Sequence, residues 1–150
     1  MHRRLHNYSS GMTIIEMLLV VAIVIILAAV ATPFYSRFFI SNDVINVNNQ
    51  LVGSLKKAQI YAITGKQNGN WGVNFSGGKI TLFQGTSYLL RNQALDETFS
   101  VNSGITINGL TSVIFTKKTG LPDLTPTITI FAGTTTKTIT VNSQGVVNQP

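Results

Sequence analysis

Residues 14–31 form one apolar run broken only by Glu16. A helix on the surface of a soluble core shows a polar face at the 3.6-residue period, whereas this run is apolar all round, the pattern of a helix surrounded by hydrocarbon. A helix over residues 14–31 would rise about 27 Å, close to a hydrocarbon core of ~30 Å. Pro33 follows, removes one backbone donor and is expected to kink the helix. Beyond it the apolar positions resume at Phe34, Phe38, Ile45, Val52, Leu55 and Ala62, with Gln59 interrupting at helical spacing. The helix is therefore expected to run to about Thr64 and to close on Gly65, with Lys56 and Lys57 in its final turns, where the helix dipole favours cations.

From Gly65 onward the pattern changes to short β-branched and aromatic runs punctuated by glycine, asparagine, serine and proline. Residues 71–75 and 79–84 flank Ser76-Gly77-Gly78 and predict a hairpin with positive φ at a glycine. Further strands are expected at 98–101, 105–107, 113–116, 127–131 and 137–141. Thr127-Ile128-Thr129-Ile130 and Thr138-Ile139-Thr140-Val141 alternate strictly, so one sheet face should be apolar and the other threonine-rich. That apolar face would cover the apolar stripe of the helix. The fold class read from these patterns is α+β, a long N-terminal membrane-spanning helix packed on a C-terminal antiparallel β-sheet.

Charge sets the orientation. Arg3 and Arg4 precede the apolar run with no acid among them, and in the twenty residues after it Arg37 is offset by Asp43. This bias favours a cytoplasmic N-terminus with everything after Ala31 exported, a single pass through the membrane. A secretory signal peptide is the competing reading, because Ala29-Val30-Ala31 has the form of a cleavage site. Glu16 inside the apolar run, and a helical pattern that continues past Ala31, both depart from it.

Glu16 needs a partner. An ionisable group in a membrane segment costs about 2–3 kcal/mol on insertion scales, less near a helix end. No lysine or arginine lies between Arg4 and Arg37. A cut just before Met12 would supply a cation, since the freed amine would lie a helical turn from the carboxylate, within the same chain or in a neighbour. The alternative is a glutamate that sits at the interface and faces headgroups.

The run Gly11-Met12-Thr13-Ile14-Ile15-Glu16-Met17-Leu18-Leu19-Val20, with Pro33 beyond it, resembles the N-terminal signature of type IV prepilins and type II secretion pseudopilins. The shared elements are a short basic leader ending in glycine, an apolar first mature residue, glutamate at the fifth mature position and a proline further along the helix. Methionine at the first mature position departs from the commoner phenylalanine but stays apolar. The resemblance implies the pilin fold, cleavage between Gly11 and Met12 by a membrane aspartic prepilin peptidase, N-methylation of Met12, and Glu16 as the assembly glutamate. It divides the chain into a leader (1–11), a transmembrane and assembly helix (12–32), the exported half of the helix (33–64) and a β-rich globular domain (65–150). Leu55 with Ala58 and Ala62, Trp71-Gly72, Ile114-Phe115 with Gly120, and Ile139-Thr140-Val141 with Gly145-Val146 resemble the GspH/FimT-type pseudopilins in particular. Some FimT-like members bind DNA through an arginine-bearing segment after the last glycine. Here that segment reads Gly145-Val146-Val147-Asn148-Gln149-Pro150, without a base, so the activity is not carried over.

Composition narrows the chemistry. The chain is 44% hydrophobic and 11% charged, against roughly a quarter charged in an average soluble domain. It has no cysteine, and its two histidines, His2 and His6, both precede the apolar run, so thiol chemistry and most histidine-based triads and metal sites are excluded from a processed chain. Gly77-Gly78-Lys79 lacks the upstream glycine and the following hydroxyl of a phosphate loop. Asp96 and Glu97 are the adjacent acids, and as strand neighbours they should point to opposite faces. No enzyme, cofactor or metal is expected. The net charge of +6 includes Arg3 and Arg4; the paired bases are Lys56-Lys57 and Lys117-Lys118, with Lys66, Lys79, Arg91 and Lys137 between them. Without a contiguous patch these are expected to be solvated surface charges, and a nucleic-acid partner is not expected.

The reading that joins these observations is a structural subunit, a pilin or a minor pilin or pseudopilin, that polymerises through its N-terminal helix into a type IV pilus or a type II secretion pseudopilus. Its partners would be other pilin or pseudopilin subunits, the prepilin peptidase and methyltransferase, an inner-membrane assembly platform, and membrane lipid before assembly. The alternative is a membrane-anchored binding module, an adhesin or DNA-uptake receptor, that never polymerises.

Overall fold

The computed structural model describes residues 11–149, and the side chains of all of these except 30–38. The leader expected at 1–11 therefore falls outside the described residues except for Gly11. Two compact units are present, Met1–Arg37 and Phe38–Pro150. Helix α1, Ile14–Ile63, contributes to both. Pro33 is helical in its backbone, and its side chain is among those not described.

In the second unit the helix runs to Ile63 and closes as the glycine signal requires. Thr64 and Gly65 donate their N–H groups to the carbonyls of Ile60 and Ala62, and Gly65 takes φ 65°, a left-handed conformation in which a side chain is strained. Lys56 and Lys57 lie further back, and no basic residue occupies the last turn. The buried face consists of Val44, Val47, Leu51, Val52, Leu55, Ala58 and Ala62. This corrects the predicted stripe at Ile45, which is exposed; Phe34 and Phe38 lie outside the described side chains. On a helical wheel Ile45 lies about 80° from Leu55 on the side away from Val47 and past Val52, at the edge of the covered face, whereas Val44 and Ala62 lie within about 20° of Leu55.

Eight strands follow: β1 Trp71–Ser76, β2 Lys79–Gln84, β3 Glu97–Ser100, β4 Thr106–Asn108, β5 Ser112–Phe115, β6 Thr127–Ala132, β7 Thr135–Val141 and β8 Val147–Asn148. They form two four-stranded antiparallel sheets, ordered β3-β2-β1-β5 and β4-β6-β7-β8, where a single sheet was expected. The physical reason is the three-residue strand β4. It pairs with β6 and not with β3, and β5 returns to the first sheet, so the chain changes sheets three times between Ser100 and Thr127. Ser76 pairs with Lys79, and both intervening glycines have positive φ (56° and 70°), which makes the expected hairpin a two-residue primed turn.

One core unites these elements. Trp71, Val73, Leu82 and Phe115 of the first sheet and Ile128, Ile130, Ile139 and Val141 of the second join Leu51 and Leu55 of α1 in the same cluster. The threonine and isoleucine alternation in β6 and β7 behaves as expected, with Ile128 opposite Ile139 and both fully buried. Phe83 lies on the reverse face of its sheet, across from Gly72, where a Cβ on the glycine would stand 2.8 Å from the ring.

Candidate functional site

The residues singled out for processing and assembly lie together at the start of α1. Gly11, Met12 and Thr13 precede the first helical turn, and Thr13 closes it: its Oγ1 accepts the Glu16 N–H at 3.3 Å while its carbonyl accepts the Met17 N–H at 3.1 Å. Thr13 is thus the N-cap, and Glu16 stands three residues on, the spacing of a capping box. The carboxylate also lies where the positive end of the helix dipole stabilises it. The Thr13-x-x-Glu16 spacing carries that signal in the sequence, and attention to the glutamate's charge alone passes over it.

Every described side chain from Met12 to Ala29 is exposed. Ile14 is 82% and Leu27 is 64% exposed, and even Val20, among the more covered, is 43% exposed. Each such side chain would gain roughly 1.5–3 kcal/mol on full burial, and no described residue covers this surface. Among the described residues no helix is long and apolar enough to cross a membrane. The predicted span ends at Ala31, and its last two residues, Val30 and Ala31, belong to the stretch whose side chains are not described.

The charged residues of the second unit are engaged separately. Lys57 donates to both carboxylate oxygens of Glu97 at 2.6 and 2.8 Å, and Arg91 pairs with Asp96 at 2.8 Å. The adjacent acids thus serve two different cations, and they form no shared acid and base site. Hydrogen bonding to Glu97 raises the Lys57 pKa, and Asp96 does the same for Arg91. Lys66 places its ammonium 3.6 Å from the centre of the Tyr61 ring and lowers the pKa of that phenol. Tyr61 in turn meets Trp71 edge to face at 4.8 Å, and the Trp71 indole N–H donates to the Lys66 carbonyl. Lys117 donates to the Asn68 side chain at 2.8 Å. Among the described residues no group of three or more histidines or acids is placed to hold a metal ion.

The helix C-terminus is fastened by loops of both sheets. The Lys118 N–H donates to the Ala62 carbonyl at 2.8 Å, and Gln59 Nε2 donates to the Gln144 carbonyl at 3.1 Å. Gly120 and Gly145, both at positive φ, complete this junction against Ile63 and Gln59.

This arrangement, one helix under two antiparallel four-stranded sheets, defines a pseudopilin-type fold of the GspH kind. Two solved structures of the minor pseudopilin EpsH from the type II secretion system of Vibrio cholerae superpose on it. The first has a TM-score of 0.56 at 13% identity, covering 72% of this chain and 96% of EpsH. The second has a TM-score of 0.55 at 12% identity, covering 73% and 94%. No protein-family model and no curated protein matches the sequence.

Proposed function

We propose that this chain is a structural subunit of a filament, a pseudopilin or minor pilin of a type II secretion or type IV pilus machine. One observation carries the reading: an apolar helical surface that no described side chain covers stands on a chain whose other unit has a finished core of pseudopilin fold. Before assembly, residues 14–31 are held in the inner membrane with the second unit exported. During assembly the helices of neighbouring pseudopilin subunits replace lipid as the apolar surroundings.

Processing supplies the charge. Cleavage between Gly11 and Met12 by a prepilin peptidase and N-methylation of Met12 leave an amine near the capped helix start. Glu16 of the same or a neighbouring copy meets it and fixes the axial offset. The assembly platform extracts the processed chain. The role is structural and not catalytic.

Mass spectrometry of the native chain tests the route, and a methylated Met12 terminus is the expected result. Pelleting with sheared filaments tests the role. A chain retaining Met1 and absent from the filaments would overturn the reading.

A further inference from the structure

The last turns of α1 present an apolar face to water. Lys56, Ile60 and Ile63 follow one another at spacings of four and three residues and so share one side of the helix. The two isoleucines are 56% and 48% exposed, opposite the buried Ala58 and Ala62. The loop after β5 extends this surface. Its Lys118 N–H is held by the Ala62 carbonyl, its Gly120 packs on the Ile63 side chain, and the next residue, Leu121, is exposed. The loop after α1 adds Lys66, and Lys117 reaches across to the Asn68 side chain. Lysines that are scattered along the sequence therefore gather around one apolar centre.

Three observations set this end apart from an ordinary solvated surface. Among the described residues no carboxylate pairs with Lys56, Lys66, Lys117 or Lys118, because Glu97 is taken by Lys57 and Asp96 by Arg91. The described non-glycine residues at positive φ are Gln67, Asn68 and Lys118, at 54°, 55° and 69°, and all three stand on these two loops. Left-handed backbone at such residues is strained and collects where the surrounding structure fixes a functional surface. The loops are also fastened before any partner arrives: the Trp71 indole N–H donates to the Lys66 carbonyl, and the Lys66 ammonium rests on the Tyr61 ring. Cations held in this way lose little freedom on binding.

An apolar centre with a charged rim is the anatomy of a protein interface, and the charges select the occupant. A second copy would bring the same cations, and the acids of its second unit are already engaged, Asp43 by Asn102 and Asp123 by the Ile114 N–H. A nucleic acid needs open aromatic faces on which bases stack, whereas Trp71 is buried and Lys66 covers Tyr61. We propose that this end of the second unit docks an acidic, amphipathic segment of a different protein. Ile60, Ile63 and Leu121 meet its apolar side chains, and Lys56, Lys66 and Lys118 meet its carboxylates. The surface lies wholly in the second unit, so the inference goes beyond the filament reading and does not rest on it.

The full-length chain in neutral detergent is titrated into a fluorescent peptide of glutamate and leucine. The complex is then coupled with a carbodiimide, which joins lysine amines to carboxylates as amides, and the linked lysines are located by mass spectrometry. Links at Lys56, Lys66 and Lys118 should exceed those at the exposed Lys79 and Lys137 about fivefold. Lys66→Glu with Lys118→Glu should weaken binding roughly tenfold, whereas Lys79→Glu with Lys137→Glu, the same change of charge elsewhere, should weaken it less than about twofold. Ile63→Ser should weaken it several-fold with every lysine intact. Lys66→Gln with Lys118→Asn removes the charges and gives position 118 a residue that tolerates left-handed backbone, so the test stands where the glutamates disturb the fold. Absence of peptide binding overturns the proposal. Equal losses in the two charge-matched doubles, or links spread evenly over the lysines, overturn it in favour of net charge alone. Tighter binding of a single-stranded oligonucleotide of equal charge, lost in the same variants, overturns it in favour of a nucleic acid. The assay contains no filaments, so each of these results leaves the filament reading standing.

Discussion

A Cβ placed on Gly145 would stand 2.6 Å from the carbonyl oxygen of Gly120, so two glycines from loops of different sheets meet with no room for a side chain. Both have positive φ, 79° and 67°, and both press on the last turns of α1. The junction depends on two independent glycines for the same reason, close approach of backbone.

Gly145→Ala is accordingly expected to destabilise the fold by about 1–3 kcal/mol, through left-handed strain and contact with Gly120 and Gln59. Gly53→Ala supplies the contrast. Gly53 is exposed in α1 with nothing within 4 Å of its would-be Cβ, and alanine there should stabilise by roughly 0.5–1 kcal/mol. Denaturant melts of the two variants against the parent chain check both signs.

Glu16→Gln separates two roles of that residue. Glutamine retains the capping-box geometry with Thr13 but loses the charge. If the carboxylate meets a processed amine, Glu16→Gln and Glu16→Ala should both enter filaments poorly while membrane insertion stays intact. Restoration of filament yield by glutamine would assign Glu16 to the cap alone. Thr13→Ala, which retains the charge, should weaken the helix start by about 0.5–2 kcal/mol, readable as faster amide exchange at residues 15–17.

The Lys57–Glu97 pair is 40% and 38% exposed at its side chains, so it contributes roughly 0.2–1 kcal/mol. Because the folded state raises the Lys57 pKa, this contribution is complete below 10.5 and is lost as pH rises through the folded value. Glu97→Gln should flatten the alkaline limb of a stability profile and reduce its salt dependence.

Tyr61 has the opposite sign. Lys66 lowers its pKa, so its phenol should ionise below 10.0, and its stabilising contribution should appear as pH rises towards that value. Ultraviolet difference titration of the parent chain against Tyr61→Phe isolates the transition. Lys66→Met should move it upward.

Much of this fold is legible in the residues themselves. The double glycine at 77–78 states its hairpin, Gly65 states the helix end, and the alternation in β6 and β7 states which isoleucines face the core. What fails is pairing between distant segments. Nothing in Thr106-Ile107-Asn108 declares that β4 joins β6 and not β3, because strand propensity is local and sheet choice depends on the whole core. Val147 and Asn148 are too short a run to announce β8. Ile45 fits the apolar stripe of the helix as well as Val44 does, and only the packing of the two sheets leaves Ile45 exposed and Val44 buried. At the candidate site the glycine, methionine and glutamate are legible, and the Thr13 cap is written in the Thr13-x-x-Glu16 spacing. Leu89 and Leu90 look like ordinary core residues until the loop shows them in water.

The carboxyl end of α1 is tied to one sheet through Lys118 and to the other through Gln144, with hydrogen bonds that depend on Ala62 and Gln59. A tug along the helix axis therefore reaches two sheets at once and cannot unzip them strand by strand. Force applied to the end of α1 would load both attachments in parallel, so Lys118→Pro and Gln59→Ala should each weaken the same junction.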